Sequence, residues 1–151
     1  SNDLKYGFHI HTPDGATPKD GPSAGCAFTC AFISRILNRN IKNDIAMTGE
    51  IETNGNITAI GGLECKLMGA KKAGVKFVFI PKENEEDYNK IIKKNKNLID
   101  ESFRIKIVSH ITELLEYVLL DDVIVNKLTS GKNKDKDIIY EKTFDMKEYI
   151  K

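Results

Sequence analysis

The sequence predicts an α/β layer architecture, a mixed sheet packed with helices. Two observations carry that expectation. Short apolar runs alternate with stretches of helical period between residues 45 and 119, and Gly61-Gly62, Gly74 and Pro81 fall where the period changes. The chain has 151 residues, 40% hydrophobic and 30% charged, which is one globular domain rather than a disordered or fibrous chain. Lys plus Arg number 23 and Asp plus Glu 22, a formal +1, without the basic excess of a nucleic-acid surface. No apolar run approaches the ~20 residues that cross a bilayer, and no charged-then-apolar start reads as a signal peptide.

The elements follow in order. Residues 5–11 alternate, with Tyr6, Phe8 and Ile10 against Lys5, Gly7, His9 and His11, and read as a strand. Three of the four prolines crowd into residues 12–22, which must be a loop. Residues 23–37 read as a helix that is apolar nearly all round and therefore buried on more than one side. A short apolar run at 45–48 precedes Asn54-Gly55, a hairpin signal between β-prone flanks. Residues 63–73 have helical spacing with Gly74 as the stop. A strand at 75–80, a charged helix at 85–94, a strand at 104–108 and an amphipathic helix carrying Ile111, Leu114, Leu115, Val118 and Leu119 complete the pattern. From about residue 126 it fails. Residues 1–125 are therefore expected to form the domain, with 126–151 a charged tail, or an arm packed on it, whose 138–140 stretch could add a short strand.

Three features bear on chemistry. Ser23 opens an apolar helix, where free backbone N–H groups and the positive dipole end lie beside its hydroxyl. Such a serine is either an N-cap or a nucleophile beside an oxyanion site. Lys66 falls at +3 from Leu63 and −4 from Ala70, on the apolar stripe. A desolvated ammonium there would lose its proton more easily and act as a base; the alternative is a stem lying on apolar surface with its head in water. Gly21-Pro-Ser-Ala-Gly25 also matches G-x-S-x-G, with Asp100 and His110 downstream. Three prolines occupy the approach where that motif needs a strand, so the Ser-His-Asp arrangement is not expected. No G-K-[ST] follows the glycine-rich loop, so ATP is not expected to bind in these residues. Cys26, Cys30 and Cys65 form no CxxC, which fits a reducing compartment; no Cys/His spacing completes a zinc site.

His9-Ile-His-Thr-Pro-Asp-Gly-Ala-Thr-Pro-Lys-Asp-Gly-Pro-Ser-Ala-Gly25 closely resembles the catalytic segment of the Lon protease family. Ala46-Met-Thr-Gly-Glu-Ile51, Ile60-Gly-Gly-Leu-Glu-Cys-Lys66 and Phe79-Ile-Pro-Lys-Glu-Asn84 resemble further blocks of the family, in its order and spacing. The resemblance spans residues 8–120. It implies a Lon-type proteolytic domain in which Ser23 is the nucleophile and Lys66 the general base of a Ser-Lys dyad. Thr48 matches the position whose hydroxyl helps orient the lysine, and Asp20 an acidic position that can engage the lysine in inactive forms.

The resemblance also implies further strands before residue 5 and a separate ATPase module, absent from these residues, that would use ATP and Mg. It implies protein or peptide substrates, homo-hexameric assembly, and an intracellular site in cytoplasm or organelle matrix. Neither a membrane nor a nucleic-acid partner is expected. The alternatives are a non-catalytic Lon-like assembly scaffold, an arrangement held inactive, and a stand-alone Ser-Lys protease.

Overall fold

A computed structural model of the chain describes residues 7–11 and 21–120. Asp20, residues 126–151 and the strand expected at 138–140 lie outside the described residues. In chain order the elements are α1 (Gly25–Leu37), β1 (Ile45–Met47), β2 (Glu50–Ile51), β3 (Ile57–Thr58), α2 (Leu63–Lys72), β4 (Phe77–Pro81), a single 3-10 turn (Lys82–Asn84), α3 (Glu85–Lys94), β5 (Arg104–Val108) and α4 (Ile111–Val118).

Three strands form a parallel sheet in the order β1-β4-β5, and β2 pairs antiparallel with β3 as a separate hairpin. The mixed α/β expectation is met. The pleat of β4 divides the apolar side chains between two cores, because successive residues of a strand point to opposite faces. Phe79 packs with Cys26 and Cys30 of α1 and with Leu114, Leu115 and Val118 of α4. Val78 and Ile80 pack on the other face with Leu63 and Leu67 of α2 and Ile91 of α3. The register Ile45↔Phe77↔Arg104 keeps the alternation in step, so Ile45 and Met47 join the first core and Ala46 the second. Among the described residues, no helix is long and apolar enough to cross a membrane.

Local chemistry explains the joints. Gly74 adopts φ +78° after α2, and its N–H donates to Lys71 O at 3.0 Å while Val75 N–H donates to Ala70 O at 3.1 Å. This is the left-handed cap the sequence anticipates. Asn54-Gly55 does turn the hairpin: Gly55 N–H donates to Glu52 O at 2.9 Å, and the left-handed residue is Gly55 at φ +92°. His110 staples this turn to α4. Its Nδ1 accepts from Thr112 N–H at 3.2 Å, which leaves the Nε2 proton to donate to Asn54 O at 3.0 Å. A Cβ on Gly55 would lie 2.5 Å from that Nε2, so the close approach requires glycine.

Three expectations are corrected. Residues 7–11 are exposed and make no strand, since no neighbour pairs with them among the described residues; Phe8 instead meets the Phe32 ring edge-on at 5.0 Å. The helix expected from residue 23 begins at Gly25, with Ala24 at the N-cap and no side-chain cap. Nor is α1 buried all round: only Cys26 and Cys30 are fully enclosed, and Ile36 is 54% exposed. Its apolar circumference exceeds what one sheet face covers.

Burial raises the thiols of Cys26 to about 11 and Cys30 to about 12, from an ordinary 9.0, with Cys26 adding repulsion at Cys30. Their contribution to stability is therefore complete below pH 9 and is lost as pH rises through 11–12, where only the unfolded thiols ionise readily. At neutral pH a colourimetric thiol reagent should titrate Cys65, which is exposed, and reach the other two only after unfolding.

Candidate active site

Ser23 lies in the turn that leads into α1. Gly25 N–H closes this turn on Pro22 O at 2.9 Å. The turn is tied to the residues just past the carboxyl end of β1. Gly49 N–H donates to Ser23 O at 2.9 Å, Cys26 N–H donates back to Gly49 O at 3.1 Å, and Thr48 Oγ1 donates to Ser23 O at 3.4 Å. Thr48 N–H donates in turn to Phe79 O of β4 at 3.1 Å. The Ser23 backbone is thus anchored through two residues to the central strand.

This reciprocal bonding needs a very short separation. A Cβ on Gly49 would lie 2.6 Å from Ile57 Cγ2 and 2.8 Å from Cys26 Sγ. Gly49 carries no reactive group; its signal in the sequence is only its place in the Ala46–Ile51 block, between β1 and β2.

Lys66 stands in the first turns of α2. Leu63 and Leu67 are buried at 4% and 0% exposure and fix which way the helix faces. Lys66 is exposed, which corrects the expectation that its side chain is desolvated on the apolar stripe. The stripe runs through Leu63, Leu67 and Ala70, and Lys66 borders it on the side that opens into a cleft.

That cleft has a volume of about 330 Å³ and brings together Ser23, Thr48 and Lys66 with Ala27, Met47, Leu67 and Val78. It crosses the edge strand β1, where α1 from one face of the sheet approaches α2 from the other. Its walls are apolar and small, and its polar groups are two hydroxyls and one amine. Among the described residues, Ser23 and Lys66 share the cleft without a hydrogen bond between them. Asp20 lies outside the described residues.

The Ser-His-Asp set is not assembled. His110 is engaged at the hairpin, and Asp100 is held well below the usual carboxylate range, first by its hydrogen bond from Lys71 at 2.6 Å and then by those from Ser102. Neither lines the Ser23 cleft. A larger hollow of about 790 Å³, between Phe77, Phe79, Tyr117 and Arg104, contains none of the expected residues. It lies at the amino ends of the parallel strands, whereas sites in such sheets gather at the carboxyl ends, where Thr48 and Ser23 are. Among the described residues, no group of three His, Cys, Asp or Glu side chains could hold a metal ion.

The fold and cleft define an α/β domain that presents serine and threonine hydroxyls and a lysine amine at the carboxyl end of an edge strand. The profile of the Lon protease (S16) C-terminal proteolytic domain matches residues 2–121. The chain is 52% identical over 137 residues, 90% of its length, to a Lon protease homolog of Acanthamoeba polyphaga mimivirus. It is 39% identical over 125 residues, 83% of its length, to a Lon protease of Desulforamulus reducens. It is 51% identical over 84 residues, 56% of its length, to a mitochondrial Lon protease homolog of Phaeodactylum tricornutum. It belongs to the family of Lon protease C-terminal proteolytic domains. The matches span 13%, 15% and 10% of those three relatives.

Proposed function

We propose that the chain hydrolyses peptide bonds of protein substrates with Ser23 as nucleophile and Lys66 as general base. The observation that carries this reading is the shared cleft: the turn leading into α1 supplies a hydroxyl and α2, on the other face of the sheet, an amine to one apolar space. Lys66 Nζ, as the free amine, takes the proton of Ser23 Oγ as Oγ bonds to the substrate carbonyl carbon. Backbone N–H groups at and near Ser23 receive the oxyanion. The C–N bond then breaks, the proton passes to the leaving amine, and an ester remains on Ser23. Water attacks that ester, giving its proton to Lys66; the acyl C–Oγ bond then breaks, Oγ takes that proton back from Lys66, and the acid is released.

Lys66 is exposed, so in this reading the substrate completes the site: an apolar side chain filling the cleft excludes water from the reacting groups. Thr48 has its proton committed to the Ser23 carbonyl, and its oxygen retains lone pairs to receive Lys66. Asp20 is assigned to engage the lysine when the site is idle.

In the whole protein this domain would act beside an ATPase module that uses ATP and Mg to deliver unfolded chains, within a homo-hexamer in cytoplasm or an organelle matrix. No cofactor is assigned to the domain itself. A peptide boronate tests the reading: a covalent adduct mapped to Ser23 by mass spectrometry, absent in Ser23→Ala, is expected. A second reading, a non-catalytic or idle arrangement, is favoured by the exposed Lys66 and the missing Ser23–Lys66 bond. A folded chain that forms no adduct and cleaves nothing would select it.

A further inference from the structure

We propose that Asn84 is a positioning residue for Lys66, acting through the peptide group of Ile60. The proposal rests on the Ser23–Lys66 reading. Asn84 is 2% exposed, one of two polar residues among the described ones that are buried. Its side chain behaves as an extra peptide unit: Ile60 N–H donates to Asn84 Oδ1 at 2.9 Å, and Asn84 Nδ2 donates to Ile60 O at 3.0 Å and to Asp87 Oδ2 at 3.3 Å. Next to it, Ala59 N–H donates to Glu83 Oε2 at 2.8 Å. Both clamps come from the 3-10 turn that directly follows the central strand β4.

The clamped residues, Ala59 and Ile60, begin the stretch that joins β3 to α2. Two residues on, Gly62 at φ +67° caps α2 without any side-chain bond, and Lys66 N–H donates to Gly62 O at 3.2 Å. Leu63 and Leu67 settle which face of α2 meets the core. The far end of α2 is tied by Lys71, whose Nζ donates to Asn97 O at 2.9 Å, Leu98 O at 2.8 Å and Asp100. Asn84 sets the near end, the one that carries Lys66. A misplacement of about 1 Å between reacting groups costs on the order of 10²-fold in rate.

The test compares Asn84→Ala, Asn84→Asp, Lys66→Met and Leu114→Ala in the intact protein, with kcat and KM for peptide cleavage normalised to folded sites. Leu114 lies in the other core and controls for lost stability alone. Asn84→Ala is expected to lower kcat by about 10- to 100-fold with KM within about twofold, whereas Leu114→Ala keeps kcat per folded site. Asn84→Asp keeps the acceptor for Ile60 N–H and should lose less; it decides by the same criterion if the alanine variant does not fold. If the Asn84 variants lose no more kcat per folded site than Leu114→Ala while Lys66→Met is inactive, the positioning role is overturned and the dyad stands. If Lys66→Met cleaves like the wild type, the dyad falls and this role with it.

Discussion

Lys66→Met should lower peptide cleavage by about 10²- to 10⁴-fold, the span attributed to a positioned general base, with the fold intact. The structure separates the two effects. Lys66 is exposed and pairs with no carboxylate among the described residues, so its removal should change stability by no more than about 0.5 kcal/mol. Lys66→Arg is the sharper variant. It keeps the charge and the reach, but a guanidinium does not give up its proton, so cleavage should fall as far as with methionine. Steady-state cleavage of a fluorogenic peptide together with thermal melting checks both. Wild-type turnover in the arginine variant would remove Lys66 from the role of base.

Gly49→Ala should cost about 2–4 kcal/mol and lower Tm by about 10 °C, because the new methyl must enter space already held by Ile57 and Cys26. The shift that relieves the overlap pushes Gly49 away from the Ser23 turn and strains its backbone bonds to Ser23 O and Cys26 N–H, so activity should fall even at temperatures where the chain is folded. Ile57→Ala removes one of the two obstructing groups. The double variant should therefore be less destabilised than the sum of the singles, with a coupling of about 1 kcal/mol or more in calorimetric melting. Strict additivity would show that the contact with Ile57 is not the source of the cost.

Periodicity located the elements best where one face alone meets the core. The helix at 85–94 and the strand at 104–108 fall where expected, since charged residues mark the outer face of the first and apolar residues dominate the second. It overreached at residues 5–11, where alternation is present but no partner strand pairs with the described part. It overreached again at α1, because an all-apolar circumference says nothing about how many neighbours exist to cover it.

The candidate site was legible as residue types: Ser23, Thr48 and Lys66 share one cleft. The exposure of Lys66 was one of two readings the sequence left open, because a position at the border of a stripe can fall to either side. Gly49 and Asn84 stand inside blocks that resemble the family, but their roles escaped sequence reading for a common reason. Each works through backbone groups of distant residues, and neither has a period or a reactive atom to announce it.

The cleft is a seam between two separately packed bodies. The serine travels with the helices of one core, the lysine with those of the other, and Ala46 of the edge strand lies between the layers. Chemistry here is a property of alignment across the strand rather than of either half. A small relative rotation of the layers would silence the site while every buried side chain stayed buried.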